Sequence, residues 1–287
     1  MSKIKASTEL YGIFGYPAKH SLSPILQNGW INDFGINAVF VGLEVKPQDF
    51  AEALNGLKKV GFKGGNITAP LKEDIAKLVA FPSHEVKTIG AANTIRAKDD
   101  DFEAINTDGI GLTVDLDYNF KGWRSACKII AIIGAGGAAR GVISALLSDE
   151  VREIRFVGRT ISKCEELANI GRILAGNRNI TFSVFGWDEM AQGLSGASLV
   201  INATTLGLKG VGALDVDLSP TTKDAIIYDM VYMPTPTAFT IAANNQKRRG
   251  LNGLGMLAGQ GVLAFEFWFG SRPDFMRGLE RLKAQLK

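Results

Sequence analysis

Short apolar runs alternate with amphipathic stretches over the first hundred residues, a pattern that predicts strands separated by helices. Tyr11 to Phe14 reads as a strand closed by the Gly15-Tyr16-Pro17 turn. Ser23 before Pro24 has the chemistry of a helix N-cap followed by a favourable first helical residue. Leu26, Trp30 and Phe34 then recur every fourth position and give that helix one apolar face. Val39 to Val45 reads as the next strand, and after Pro47 the residues Phe50, Leu54 and Leu57 return to helical spacing. A strand through Asn66-Ile67-Thr68 leads past Pro70 into a helix with Leu71, Ile75, Leu78 and Val79 inward. Such alternation implies a mostly parallel sheet.

From Asp108 the chain starts afresh. Ile129 to Ile133 is continuously apolar, as a strand buried on both faces requires. The apolar stretch runs on to Leu147 but is broken by Gly134, Gly136, Gly137 and Arg140, so it reads as strand, turn and helix. Further strands are expected at Ile154 to Val157, Ile180 to Val184, Leu199 to Ala203 and Ile226 to Met230, with a helix around Leu167. The segment from Gly253 to Leu286 reads as two helices without a strand. Such helices must bury their apolar faces on something already built, so they are expected to return to the first domain. The expectation is an α/β chain of two domains, residues 1–109 with 254–287, and residues 110–253.

Composition narrows the class. The chain is 46% hydrophobic and 21% charged, a globular balance, and its 287 residues allow two domains at roughly 150 residues each. A net charge of +3 with scattered basic residues argues against a nucleic-acid surface. The N-terminal residues lack the apolar core of a signal peptide, and there is no apolar run of about 20 residues to span a membrane. Cys127, Cys164 and the two histidines have no metal-type spacing, so neither a metal site nor a disulfide framework is expected. A cytoplasmic protein, monomer or homodimer, working on a small molecule fits these bounds.

The candidate chemistry sits at the expected strand ends. Gly134-Ala135-Gly136-Gly137-Ala138-Ala139 follows a buried strand and opens a helix, the context of a dinucleotide-binding turn in a Rossmann-like domain. Gly134 permits the tight turn, Gly136 lets backbone approach a pyrophosphate, and the helix N-terminus offers N–H groups to it. A tight turn without a ligand is the competing possibility. The end of the next strand, Gly158-Arg159-Thr160-Ile161-Ser162-Lys163, has no acid to accept from a ribose. Arg159 and Lys163 could instead clamp a 2′-phosphate, with Thr160 donating to it, so NADP is expected over NAD. Lys72 lies in the first turn of a helix, where the dipole disfavours a cation, and this suggests a task. Asp108 ends another strand and could equally be a plain helix cap.

Taken together these segments resemble the shikimate dehydrogenase family along nearly the whole chain. The matches, in the family's order, are His20-Ser21-Leu22-Ser23-Pro24, Asn66-Ile67-Thr68 through Lys72, Gly90-Ala91-Ala92-Asn93-Thr94 and Asn106-Thr107-Asp108. The Gly134–Ala138 turn, Arg159-Thr160, Asn202-Ala203-Thr204, Asp229-Met230-Val231-Tyr232, and Gly253-Leu254-Gly255-Met256-Leu257 with Gln260 continue the series. The resemblance implies an N-terminal substrate domain, a Rossmann-like NADP-binding domain, and NADP-dependent reduction of 3-dehydroshikimate to shikimate. It implies that Lys72 and Asp108 are the catalytic pair and that Ser21 and Ser23 hold the substrate carboxylate. Thr68, Asn93, Asp108, Tyr232 and Gln260 would surround the ring. Gly134, Ala135, Gly136, Gly137, Ala138, Arg159, Thr160 and Lys163 would hold the cofactor, with Met230, Gly253 and Met256 at its nicotinamide end.

Two positions depart from the family pattern. Gln27 stands where many relatives carry histidine, and Gly158 where asparagine usually precedes Arg-Thr, which puts the adenosine pocket's grip in doubt. A quinate or aminoshikimate dehydrogenase is the nearest alternative. A non-catalytic sensor on the same scaffold need keep only binding groups, and retention of Lys72 and Asp108 speaks against it. A methylene-tetrahydrofolate dehydrogenase shares the two-domain plan but is opposed by the Ser21-Leu22-Ser23 and Asn106-Thr107-Asp108 segments. His20 and His84 adjoin no nucleophile and read as structural, and Cys127 as core.

Overall fold

The computed structural model describes residues 4–208 and 211–286. The chain divides into two compact units, residues up to Gly111 with those from Leu257 onward, and Leu112–Met256. Each unit is built on one sheet.

In the first unit the elements run β1 (Glu9–Gly15), α1 (Ser23–Asp33), β2 (Ala38–Glu44), α2 (Phe50–Lys59), β3 (Gly64–Ile67), α3 (Lys72–Leu78), β4 (Phe81–Pro82), α4 (His84–Ile89), β5 (Thr94–Lys98) and β6 (Asp101–Ile105). Helix α5 (Asp108–Asn119) then leads out of the unit. The described strands form a sheet in the order β2-β1-β3-β5-β6-β4. It is mostly parallel, as the alternation implied, except that β5 is reversed and runs antiparallel to both β3 and β6. The β5–β6 hairpin turns at Asp99, which takes a positive φ of 51°. Reversing β5 places its start, next to Asn93, at the same sheet edge as the ends of β3 and β6.

One face of this sheet packs Phe14, Phe50, Leu54, Phe62, Ile67, Leu71, Ile75 and Phe102 into a continuous core. The other face is covered by a helix from the far end of the chain. Tyr11 stacks on Trp268 and Phe269 at centroid distances of 5.4 and 4.8 Å, and the Trp268 indole donates to the Ile95 carbonyl at 2.9 Å. The closing helices therefore return to the first unit, as expected.

Three local expectations need correction. Ser23 does not cap α1: it is the first helical residue, and its backbone N–H donates to Ser21 Oγ at 3.2 Å. Leu22 is the cap residue, and its carbonyl takes the Ile25 and Leu26 N–H groups with no side-chain cap. Phe34 ends the helix half-exposed, with its ring against Phe265, and Leu78 also faces outward because α3 stops there.

The second unit runs from α5 through α6 (Trp123–Ala126), β7 (Ile129–Ile133), α7 (Gly137–Leu146), β8 (Glu153–Gly158), α8 (Ile161–Ala175), β9 (Thr181–Gly186) and α9 (Met190–Leu194). It continues with β10 (Leu199–Asn202), β11 (Ile226–Asp229), α10 (Ala238–Asn245) and β12 (Arg249–Asn252). Helix α11 (Leu254–Phe269) starts in this unit and continues into the first, followed by α12 (Phe275–Ala284). All strand pairs in this sheet are parallel, in the order β12-β11-β10-β7-β8-β9. This is the doubly wound order of dinucleotide-binding domains, with the switch point between β7 and β10. The described residues of the connection between β10 and β11 cover that side of the sheet with Leu214, Val216 and Leu218 and form no helix. Strand β12 was not apparent in the sequence, being short and polar at its first residue.

Candidate active site

In open α/β sheets ligands bind beyond the carboxyl ends of the strands where the chain reverses its order of addition. In the first unit that point lies between β1 and β3, since β2 adds on one side of β1 and β3 on the other. The loop after β1 carries Ser21 and leads to Ser23, and the loop after β3 carries Thr68 and leads to Lys72. Asn93 and Asp108 arrive at the same edge through β5 and β6. The fold thus gathers residues that lie far apart along the chain.

Lys72 Nζ lies 2.6 Å from Asp108 Oδ2, the lysine side chain 13% and the aspartate 1% exposed. Water cannot screen such a pair well, so the charge-assisted hydrogen bond is strong and fixes the ammonium group. Asp108 Oδ1 accepts from Asn93 Nδ2 at 3.0 Å, and the Asp108 backbone N–H donates to Asn106 Oδ1 at 3.0 Å. Asn93 is the hub. Its amide also approaches Thr107 Oγ1 at 3.0 Å and Gln260 Oε1 at 2.8 Å, while its Oδ1 accepts from the Thr107 N–H at 2.8 Å. Asn66 and Asn106 tie down the backbone on either side, at the Asn93 and Ala91 carbonyls. Sequence reasoning included both in its motifs without assigning them this bracing work. His20 and His84 are exposed.

In the second unit Gly134 has φ +110°, and an added Cβ would lie 2.9 Å from Thr204 Cγ2 and 3.1 Å from the Ala203 carbonyl. Only glycine fits this turn. Beside Gly136 the opposite holds: a Cβ there would meet nothing within 4 Å, leaving open space at the start of α7. No side chain caps that helix start, so its first N–H groups face the opening. Ala135, Gly136, Gly137 and Ala138 are all partly accessible. Arg159, Thr160 and Lys163 are exposed at the end of β8, and Thr160 makes no capping hydrogen bond to α8. Gly158 is explained by Cys164, whose Sγ would lie 2.6 Å from a Cβ at that position. These features fit a dinucleotide with a 2′-phosphate.

Across the switch point, Asn202 Nδ2 donates to Asp229 Oδ1 at 2.8 Å, and Thr204 Oγ1 to Asn202 Oδ1 at 2.7 Å. Burial raises the Asp229 carboxyl above its usual range, against opposing hydrogen bonds that include the Val231 N–H and Asn202. Gly253 packs on the Met230 backbone so tightly that a Cβ would lie 2.3 Å from the Met230 oxygen. Met256 is buried in the first turn of α11, and Tyr232 is half-buried beyond β11. Among the described residues no group of three or more His, Cys, Asp or Glu side chains could hold a metal ion, and no helix is long and apolar enough to cross a membrane.

Comparison with known proteins identifies the family. The model described as shikimate dehydrogenase substrate binding domain matches residues 13–95, that of shikimate / quinate 5-dehydrogenase residues 119–222, and that of the shikimate 5′-dehydrogenase C-terminal domain residues 253–277. A protein of Brucella melitensis biotype 2 named shikimate dehydrogenase (NADP(+)) is 37% identical over 270 residues, 93% of this chain and 91% of its own.

The chain belongs to the shikimate dehydrogenase family.

Among solved structures of that family, a shikimate dehydrogenase in complex with NADP+ matches at a TM-score of 0.87 and 32% identity, covering 100% of this chain and 98% of its own. A quinate dehydrogenase from Corynebacterium glutamicum in complex with NAD matches at a TM-score of 0.84 but 26% identity, covering 96% and 99%. Shape alone therefore does not separate these two activities. The side chains must.

Proposed function

We propose that this member of the family is an NADP-dependent oxidoreductase that reversibly reduces 3-dehydroshikimate to shikimate, with Lys72 and Asp108 as its acid–base pair. The observation that carries the reading is the 2.6 Å Lys72–Asp108 contact, nearly buried and braced by Asn93 at the switch point of the first sheet. A sensor has no need of such a pair. Nothing in the site favours quinate over shikimate.

When bound, NADPH supplies the hydride. The Gly134–Ala138 turn and the uncapped start of α7 would hold its diphosphate, and Arg159, Thr160 and Lys163 its 2′-phosphate. Met230, Gly253 and Met256 would line its nicotinamide end. As the ketone carbon is reduced, negative charge develops on its oxygen, and a placed donor lowers the barrier. Lys72 has three N–H donors; Asp108 takes one, which leaves Nζ able to hand a proton to that oxygen. In the reverse direction the amine accepts the proton. Asp108 orients Lys72 and accepts from the neighbouring ring hydroxyl, while Thr68, Asn93, Tyr232 and Gln260 surround the ring. The free buried thiols of Cys127 and Cys164 suit a reducing compartment, so we place this activity in the cytoplasm.

Ser21 and Ser23 would hold the carboxylate. Ser21 Oγ already accepts from the Ser23 N–H, and its own O–H proton stays available for an anion. The double change Ser21→Ala, Ser23→Ala is expected to weaken shikimate binding about tenfold, the worth of one or two hydrogen bonds to a charged group. NADP binding should stay within about twofold of wild type by the same scale. Calorimetric titration with each ligand checks this, and an equal loss for both would contradict the assignment.

A further inference from the structure

The start of α11 is held by a buried polar chain that the proposed mechanism does not use. Leu254, Gly255 and Met256 form its first turn, where helical N–H groups lack intrahelical partners. The Leu254 N–H is taken by Asn252 Oδ1 at 3.2 Å. The Met256 N–H lies near the hydroxyl oxygen of Tyr228, a fully buried residue of β11. That hydroxyl in turn donates to Asp115 Oδ2 at 2.7 Å. Asp115, on α5, is 1% exposed, and its other oxygen accepts from Asn119 Nδ2 at 2.8 Å.

The carboxylate sits directly against the helix start. A Cβ added to Gly255 would fall 1.9 Å from Asp115 Oδ1, so the Gly255 backbone lies where only a glycine permits the approach. A negative charge at a helix N-terminus is favourable, the more so away from water. Desolvation and the Asp115 charge beside it both push the Tyr228 hydroxyl well above its ordinary range, which keeps it a proton donor to Asp115 at any working pH. Tyr228 also immediately precedes Asp229 and Met230 on β11. The Tyr228–Asp115 pair therefore touches both segments assigned to the nicotinamide end, Met230 through the strand and the Gly255 turn through the Asp115 carboxylate packed against it.

From this geometry we infer that Asp115, acting through the Tyr228 hydroxyl, is the positioning residue that sets the nicotinamide end of the cofactor site. It touches neither cofactor nor substrate. Its work is to fix the height and direction of the Gly253–Met256 turn against Met230. The inference rests on the assignment of Met230, Gly253 and Met256 proposed above.

The test uses two ligands that share the adenosine 2′-phosphate portion but differ at the other end. Wild type and Tyr228→Phe are titrated with NADPH and with adenosine 2′,5′-bisphosphate, which has no nicotinamide. Tyr228→Phe keeps the aromatic core and deletes only the hydroxyl. It should weaken NADPH about tenfold, the cost of leaving the buried Asp115 Oδ2 without its donor. Affinity for the bisphosphate should be unchanged. Asp115→Asn, which retains an acceptor for the Tyr228 hydroxyl, should lose less NADPH affinity than Asp115→Ala, and this second pair decides the matter if Tyr228→Phe folds poorly. Equal weakening of both ligands, or no weakening of either, overturns the inference while leaving the cofactor assignment intact. Wild-type protein that binds neither ligand overturns the cofactor assignment itself.

Discussion

Lys72→Ala should lower kcat by about 10²–10⁴, the usual worth of a positioned general acid, while KM for shikimate changes far less. The split follows from geometry. Nζ is already committed to Asp108 at 2.6 Å, so its remaining donors contribute most where charge develops on the reacting oxygen. The same change strips a buried carboxylate of its cation, which costs about 3–5 kcal/mol of stability when a buried pair is broken. Asp108 keeps its bonds to Asn93 and Asn106, so the lower end of that range is expected. Lys72→Gln separates the two effects, since its amide can still donate to Asp108 but cannot supply the proton. Both variants should show the kcat loss, and Lys72→Gln should melt closer to wild type. Wild-type turnover in either variant would remove Lys72 from the chemistry.

The second large effect concerns cofactor choice. Arg159→Ala with Lys163→Ala should cost between about tenfold and a hundredfold in preference for NADP over NAD, chiefly through KM for NADP. A charge-assisted hydrogen bond contributes about 1.5–3 kcal/mol, and each 1.4 kcal/mol is tenfold. Arg159 should carry the larger share because its planar donors match phosphate geometry, whereas Lys163 is a more solvated point charge. Both side chains are exposed at the end of β8, where they can reach a ligand. NAD kinetics should barely change, because NAD has no 2′-phosphate to lose. A parallel fall for both cofactors would instead indicate damage to the turn, whose tight contact between Gly158 and Cys164 leaves little slack.

Where a local signal coincided with a tertiary demand, the fold could be read from the chain. The run Ile129–Ile133 followed by Gly134-Ala135-Gly136 located β7, its turn and α7, because a strand buried on both faces must be apolar throughout. The placing of Arg159 and Lys163 at a strand end without an acid was legible for a similar reason, since it is a purely local fact. The β5–β6 hairpin was missed although Phe102 and Ala104 lie at period two, because helix-bearing segments on both sides suggested that the parallel alternation continued. Ser23 was assigned the cap from its place before Pro24, but the helix starts one residue earlier and the Leu22 carbonyl takes the Ile25 and Leu26 N–H groups.

The bracing of the site was beyond local signals altogether. Asn93 joins Asp108, fifteen residues on, to Gln260, 167 residues on, and no periodicity encodes such a meeting. Tyr228 looked like one more apolar position in β11, and nothing nearby in the chain announces that its hydroxyl meets Asp115 across 113 residues. The residues proposed to touch ligands fall at strand ends and can be guessed from pattern. Residues that hold them there need the fold.

The central claim is that this chain oxidises shikimate with NADP through the Lys72–Asp108 pair. Steady-state kinetics of the purified protein on shikimate and on quinate, each with NADP and with NAD, test it most directly. The account predicts that kcat/KM is highest for shikimate with NADP, exceeding shikimate with NAD by at least about tenfold, the worth of one charge-assisted contact to the 2′-phosphate. Quinate should be the poorer substrate with either cofactor. Equal or higher efficiency with quinate, or with NAD, or no turnover in any of the four combinations, would contradict it.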